Sequence, residues 1–304
     1  LVIFSLSFAL SVSAQQDAQY TQYMFNGLVL NPAYAGTRET LSAMVLYRNQ
    51  WTNFDGAPKT FSASVHSIMG DNMGLGLFLE NDKIGVHNRF SVYGSYAYHI
   101  YLNDDQAKLS LGIQGGVLNY RSDWNQLHQE GLVQDLDDPS FDPSQIYSKL
   151  SPNFGLGAYY YSDRFYAGIS MPHLLNSTLD DISKTSLYER HFFFTTGIVA
   201  DISPSIKFKP TLLLKSVPGY APLEADVNLN LLILDQLWLG VGFQTEKAIV
   251  FLLEYQFNNG FRLGYSYDLG MSDLAPYHGG SHEIMLGFDF NVKEPEVILS
   301  PRFF

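Results

Sequence analysis

Eight histidines and 30 acidic side chains supply enough bases and ligands for hydrolytic or metal chemistry, so their spacing is the first thing to test. No spacing fits. There is no His-Glu-x-x-His for zinc, no Gly-x-Ser-x-Gly nucleophile turn, no phosphate loop and no calcium loop of the EF-hand type. His282 and Glu283 are neighbours in a segment that alternates like a strand, which sends the two side chains to opposite faces and prevents joint action. Asp135, Asp137, Asp138 and Asp142 could offer hard oxygens to Ca2+, but a solvated acidic loop is the simpler account of them. With no cysteine, thiol catalysis, disulfides and cysteine-ligated metals are excluded. The expectation is a non-enzymatic protein with no catalytic residues, cofactor or metal.

The elements that carry these residues point to another role. The 304 residues are 46% hydrophobic and only 16% charged, with 20 Tyr, 22 Phe and 25 Gly. A formal charge of −12, with 18 basic residues, argues against nucleic acid, because phosphate neutralisation needs clustered Lys and Arg. Residues 1–14, LVIFSLSFALSVSA, read as an N-truncated signal peptide with cleavage between Ala14 and Gln15, which implies export. Beyond them no apolar run approaches the roughly 20 residues of a transmembrane helix. What recurs is period two. In the segment from Leu223 to Leu231, Leu223, Ala225, Val227, Leu229 and Leu231 share one face, and Glu224, Asp226, Asn228 and Asn230 share the other.

About fourteen such segments lie within residues 39–291, many near the length needed to cross a bilayer at a tilt. A soluble β-sandwich would set Lys, Glu and Thr on its outer faces. Here the polar faces are thin and rich in glycine, as in Leu109 to Val117. Connections after odd segments are mostly long, above all 121–151, 171–189 and 269–280, whereas those after even segments are tight turns. That asymmetry predicts an all-β fold, a transmembrane antiparallel up-and-down β-barrel of about 14 strands with short periplasmic turns and long extracellular loops. The same count places both termini in the periplasm, with 15–38 as an N-terminal arm and 292–304 as a tail. Tyr93, Tyr96, Tyr98, Tyr101, Tyr255, Tyr265 and the runs Tyr159 to Tyr161 and Phe192 to Phe194 are expected in interfacial girdles. Lys215 is expected to pair with Glu224 in a wet lumen.

Four stretches carry a family resemblance: Tyr20-Thr-Gln-Tyr-Met-Phe-Asn26, Asn31-Pro-Ala-Tyr-Ala-Gly36, Tyr47-Arg-Asn-Gln-Trp51 and Gly279-Gly-Ser-His-Glu-Ile-Met-Leu286. Together they resemble the PorP/SprF family of outer-membrane proteins of the Bacteroidota type IX secretion system, over essentially the whole mature chain. The resemblance implies a barrel in the bacterial outer membrane that assists the export or cell-surface anchoring of large secreted proteins, often adhesins, and a link to gliding motility. It also implies partners: the C-terminal sorting domain of the cargo, and other secretion components including periplasmic lipoproteins. Membrane lipid is the third expected partner.

Physical roles follow for the matched residues. Pro32 and Gly36, after Asn31, are expected to form the turn into the first strand, since proline fixes φ and glycine permits positive φ. Arg48 is expected to meet a lumen carboxylate and Trp51 to anchor the rim. Ser281, His282 and Glu283 open the last strand. Cargo is expected to dock on the long loops, where Trp124, Leu127, Phe141, Tyr147, Leu174, Leu175, Tyr188, Leu274, Pro276 and Tyr277 are apolar anchors on polar segments. Self-packing of these loops over the mouth accounts for the same residues. A diffusion channel or substrate-specific transporter is the alternative function, because a barrel this wide conducts unless plugged.

Overall fold

The structure, a computed structural model, describes residues 17–102, 107–124, 146–178, 187–245 and 247–290. Residues 1–16, which include the segment read above as a signal peptide, the tail beyond Phe290 and most of the 121–151 loop lie outside the described residues, and with them Leu127, Phe141 and the aspartates from Asp135 to Asp142.

Alternation of side chains builds the strands in chain order: β1 Leu41–Asn49, β2 Lys59–Met69, β3 Met73–Ile84, β4 His87–Leu102, β5 Ala107–Asp123, β6 Ile146–Ser162 and β7 Phe165–Met171. β8 is Phe192–Ile198 continued by Ala200–Ser203, and β9 Ile206–Val217, β10 Ala221–Ile233, β11 Leu237–Gln244, β12 Ala248–Gln256, β13 Phe261–Gly270 and β14 Ser281–Phe290 complete the set. Every neighbour pairs antiparallel, and β1 pairs with β14 from Leu41↔Phe290 to Asn49↔His282, so the sheet closes as a 14-stranded barrel. Closure removes the edges that would expose unpaired backbone to lipid. No helix is long and apolar enough to cross a membrane. A detached two-stranded ribbon, Ser177–Thr178 with Leu187–Tyr188, lies in the β7–β8 connection.

The outer face is apolar. On β1 the outward Val45 and Tyr47 are 41% and 44% exposed, while the inward Met44, Leu46 and Arg48 are buried. The connections sort as the sequence suggested, with one exception. β3 and β4 meet at the loop end through Gly85-Val86 alone, because both strands continue through the expected link of residues 82–88. Gly85 takes φ +55°, which makes so tight a turn possible.

Two expectations about the interior change. The tyrosine and phenylalanine runs split by parity: Tyr93, Tyr159, Tyr161 and Phe193 turn inward and are buried, whereas Tyr96, Tyr98, Tyr265 and Phe192 face outward. Only the outward set can form a girdle. Lys215 does stand opposite Glu224 in register, but its ammonium lies 2.7 Å from Asp226, and Glu224 is taken by Lys247 at 2.6 Å. A lysine stem spans more than one register step, so the nearest backbone partner is not the electrostatic one.

Candidate functional site

The lumen is not a wet channel. Residues 17–37 run through it from the loop end to the turn end, in 3-10 turns at Tyr23–Phe25, Gly27–Val29 and Pro32–Tyr34. Tyr20, Tyr23, Met24, Phe25 and Leu30 pack against the inward Leu46, Phe78, Leu213, Leu232, Trp238, Leu252 and Met285 as one hydrophobic core. Each such side chain contributes about 1.5–3 kcal/mol on burial. The arm expected below the barrel is therefore a plug inside it, because its apolar residues find matching inward faces there. Asp17 lies at the loop end and Phe290 at the turn end, so the described chain begins and ends on opposite faces of the barrel.

Polar contacts fix the plug's height. At the loop end the Glu283 carboxylate accepts the N–H groups of Thr21 and Gln22 at 2.9 and 2.8 Å. Arg48 reaches Asp268 at 2.6 Å and Glu283 at 3.3 Å, and also donates to the Thr21 hydroxyl at 2.6 Å. All three charged groups are at most 3% exposed. Lower down, Asn228 donates to the Tyr23 hydroxyl at 3.1 Å, and the Ser64 hydroxyl donates to Asn26 at 3.1 Å. Asn31 caps the last 3-10 turn by accepting Ala33 N–H at 2.9 Å while its amide donates to the carbonyls of Ala158 and Ile169. Gly36, at φ +82°, donates its N–H to His66, and His99 donates to the Ala35 carbonyl. Arg38 then binds Asp289 at 2.8 Å where the chain turns into β1.

Glycines on the inner face admit this backbone. A Cβ on Gly112 would stand 2.2 Å from Ala33 N, and one on Gly74 would stand 1.9 Å from the Ala35 carbonyl oxygen. Glycine inside a strand marks a place where another backbone comes close, and this was the sequence signal for a plug.

Above the plug a vestibule of about 560 Å3 opens at the loop end. Asp17, Arg48, Arg89 and Asp268 form its ionic floor, and Trp51, His87, Tyr120, Leu274 and His278 its walls. The Trp51 and His278 rings lie 6.1 Å apart, and the Trp51 backbone N–H donates to the Ser281 hydroxyl at 3.2 Å. The matched residues Arg48, Trp51 and Ser281 thus meet Leu274 at one cavity. His282 and Glu283 diverge as expected: the former contacts the outward Tyr265 hydroxyl at 2.7 Å.

The remaining described anchors do not line this cavity. Trp124 stands against His87 with centroids 5.8 Å apart, and Tyr147 packs on Leu118 and Tyr120. Leu174 and Leu175 donate their N–H groups to Asn153, and Tyr188 lies in the small ribbon. Pro276 and Tyr277 sit in a 3-10 turn beside the vestibule, with Tyr277 70% exposed. Among the described residues no group of His, Asp and Glu is placed to hold a metal.

The profile of type IX secretion system membrane proteins of the PorP/SprF kind matches residues 12–288. The chain belongs to the PorP/SprF family. Family and fold together fit a place in the outer membrane. Among solved structures, it is similar to the Ralstonia pickettii toluene transporter TbuX at 10% identity, covering 88% of this chain and 92% of that one with a TM-score of 0.47. It is also similar to Acinetobacter baumannii Omp33 at 9% identity, covering 83% and 100% with a TM-score of 0.46. None of the curated proteins compared with it matches.

Proposed function

We propose that this PorP/SprF protein is a plugged, non-enzymatic barrel that anchors secreted cargo at its loop-end mouth. The observation that carries the reading is the filled lumen: residues 17–37 occupy the path a diffusing solute would take, which favours holding over transport. The loops face outward, and the C-terminal sorting domain of an adhesin-like cargo rests on the rim made by Leu274, Pro276, Tyr277, Leu174 and Leu175. A cavity of about 560 Å3 admits a short segment rather than a domain, so one cargo loop enters between Trp51 and Tyr120 while the rest stays above. At the turn end the barrel meets other secretion components, periplasmic lipoproteins among them.

Two measurements test this. The purified protein in planar bilayers is expected to show no steady open conductance, and affinity-tagged protein solubilised from outer membrane is expected to retain a sorting-domain protein. A steady pore in the intact protein, with no cargo retained, would replace anchoring with transport.

A further inference from the structure

The upper rim of the barrel's outer face is divided into two arcs. Outward residues at the loop ends of the strands are Asn49 on β1, Lys59 on β2, Lys83 on β3, Asn88 on β4 and Arg121 on β5, with His282 on β14. They are consecutive register partners: Arg121↔Asn88, Asn88↔Lys83, Lys83↔Lys59, Lys59↔Asn49 and Asn49↔His282. On the other side, most loop-end outward positions are apolar, among them Met171, Phe192, Leu223, Phe243 and Leu269, with Ser216 opposite Phe192 a polar exception.

The polar arc runs against the chain's character. A protein of net charge −12 has gathered three of its 18 basic residues here, and the one ion pair they make among the described residues is that of Arg121 with Asp123, at 3.1 Å. Lys59 and Lys83 are exposed and stand directly opposite each other. Like charges at that position repel unless an anion lies between them. Toward the middle of the wall the next outward residues include Tyr47, Phe61 and Phe90, 44%, 45% and 46% exposed. The cations therefore stand where the apolar band ends, at headgroup level.

We propose that this arc, from β14 through β1 to β5, binds phosphate-bearing headgroups of the membrane leaflet at the loop end, with one phosphate bridging Lys59 and Lys83. The bound headgroups hold this side of the barrel at a fixed depth and orient the vestibule toward the surface. The proposal rests on the barrel and its register and is independent of cargo docking.

The test uses full-length protein in phosphatidylcholine nanodiscs with or without phosphatidic acid, followed by native mass spectrometry of retained lipid. The wild type is expected to retain phosphatidic acid over phosphatidylcholine. Lys59→Gln with Lys83→Gln should lower that preference about 25-fold, at about fivefold per cation. Lys59→Arg with Lys83→Arg should keep it, as should a charge-matched control of Arg164→Gln with Arg190→Gln. Heat-modifiable migration on gels confirms that each variant is folded. Equal retention in the Gln pair and the wild type overturns the proposal. So does displacement of the lipid by excess inorganic phosphate, which identifies a site for a small free anion instead.

Discussion

Replacing both Gly74 and Gly112 by alanine should drive the lower plug out of the barrel wall. At Gly112 the new Cβ would lie 2.2 Å from Ala33 N, 2.4 Å from Ala33 Cα and 2.5 Å from Pro32 C. All three are backbone atoms, so no side chain can swing away, and the plug must retreat by about 1 Å to restore van der Waals contact. At Gly74 the nearest atom is the Ala35 carbonyl oxygen at 1.9 Å, which is also the acceptor for His99. Overpacking of this kind costs about 1–3 kcal/mol per site. The hydrogen bonds holding that stretch, from Asn31, His66 and His99, each contribute about 0.5–1.5 kcal/mol net. The two quantities are of the same size, so the double variant should populate a displaced plug. Limited proteolysis of purified protein should then cut within residues 17–37, and planar-bilayer recordings should show openings absent from the wild type. Gly94→Ala is the control, because its Cβ would meet nothing closer than 4.0 Å. A folded double variant with the wild type's protease protection and silence in the bilayer would refute the close-approach argument.

Three further outcomes are expected. Arg48→Ala leaves Asp268 and Glu283 buried without their cation and should cost about 3–5 kcal/mol, read as a lower urea midpoint of unfolding. His173, in the β7–β8 connection, packs on Tyr93 and lies 3.7 Å from Asp17. Burial lowers its pKa from 6.5 to about 4, and Asp17 offsets this only in part. Its contribution is thus complete above pH 6.5 and lost as pH falls toward about 4, so protease cleavage near His173 should rise over that window and flatten in His173→Phe. Leu274→Ala combined with Tyr277→Ala should weaken sorting-domain binding by about 30-fold in a pull-down titration while leaving the folded barrel intact.

The barrel was legible because its cause is local. A strand inserted between lipid and lumen must alternate, and the alternation from Leu223 to Leu231 is visible without any partner. The absence of catalytic spacings and the sorting of loop lengths were legible for the same reason, and so was membership of the PorP/SprF family, through its motifs. Register, by contrast, needed the closed sheet: only the pairing Arg48↔Glu283 shows why two motifs so far apart in sequence belong together. Lys215 finds Asp226, and Lys59 faces Lys83, only once neighbouring strands are set side by side. The plug was hidden most completely. Tyr20 to Tyr34 have no strand period and read as an arm, because what holds them is complementarity to inward faces of strands from β1 to β14. Their trace in the sequence was indirect, in inward glycines that look like thin polar faces until a second backbone is laid against them. Period and motif are properties of a segment, whereas the contents of a closed lumen depend on every stave around it.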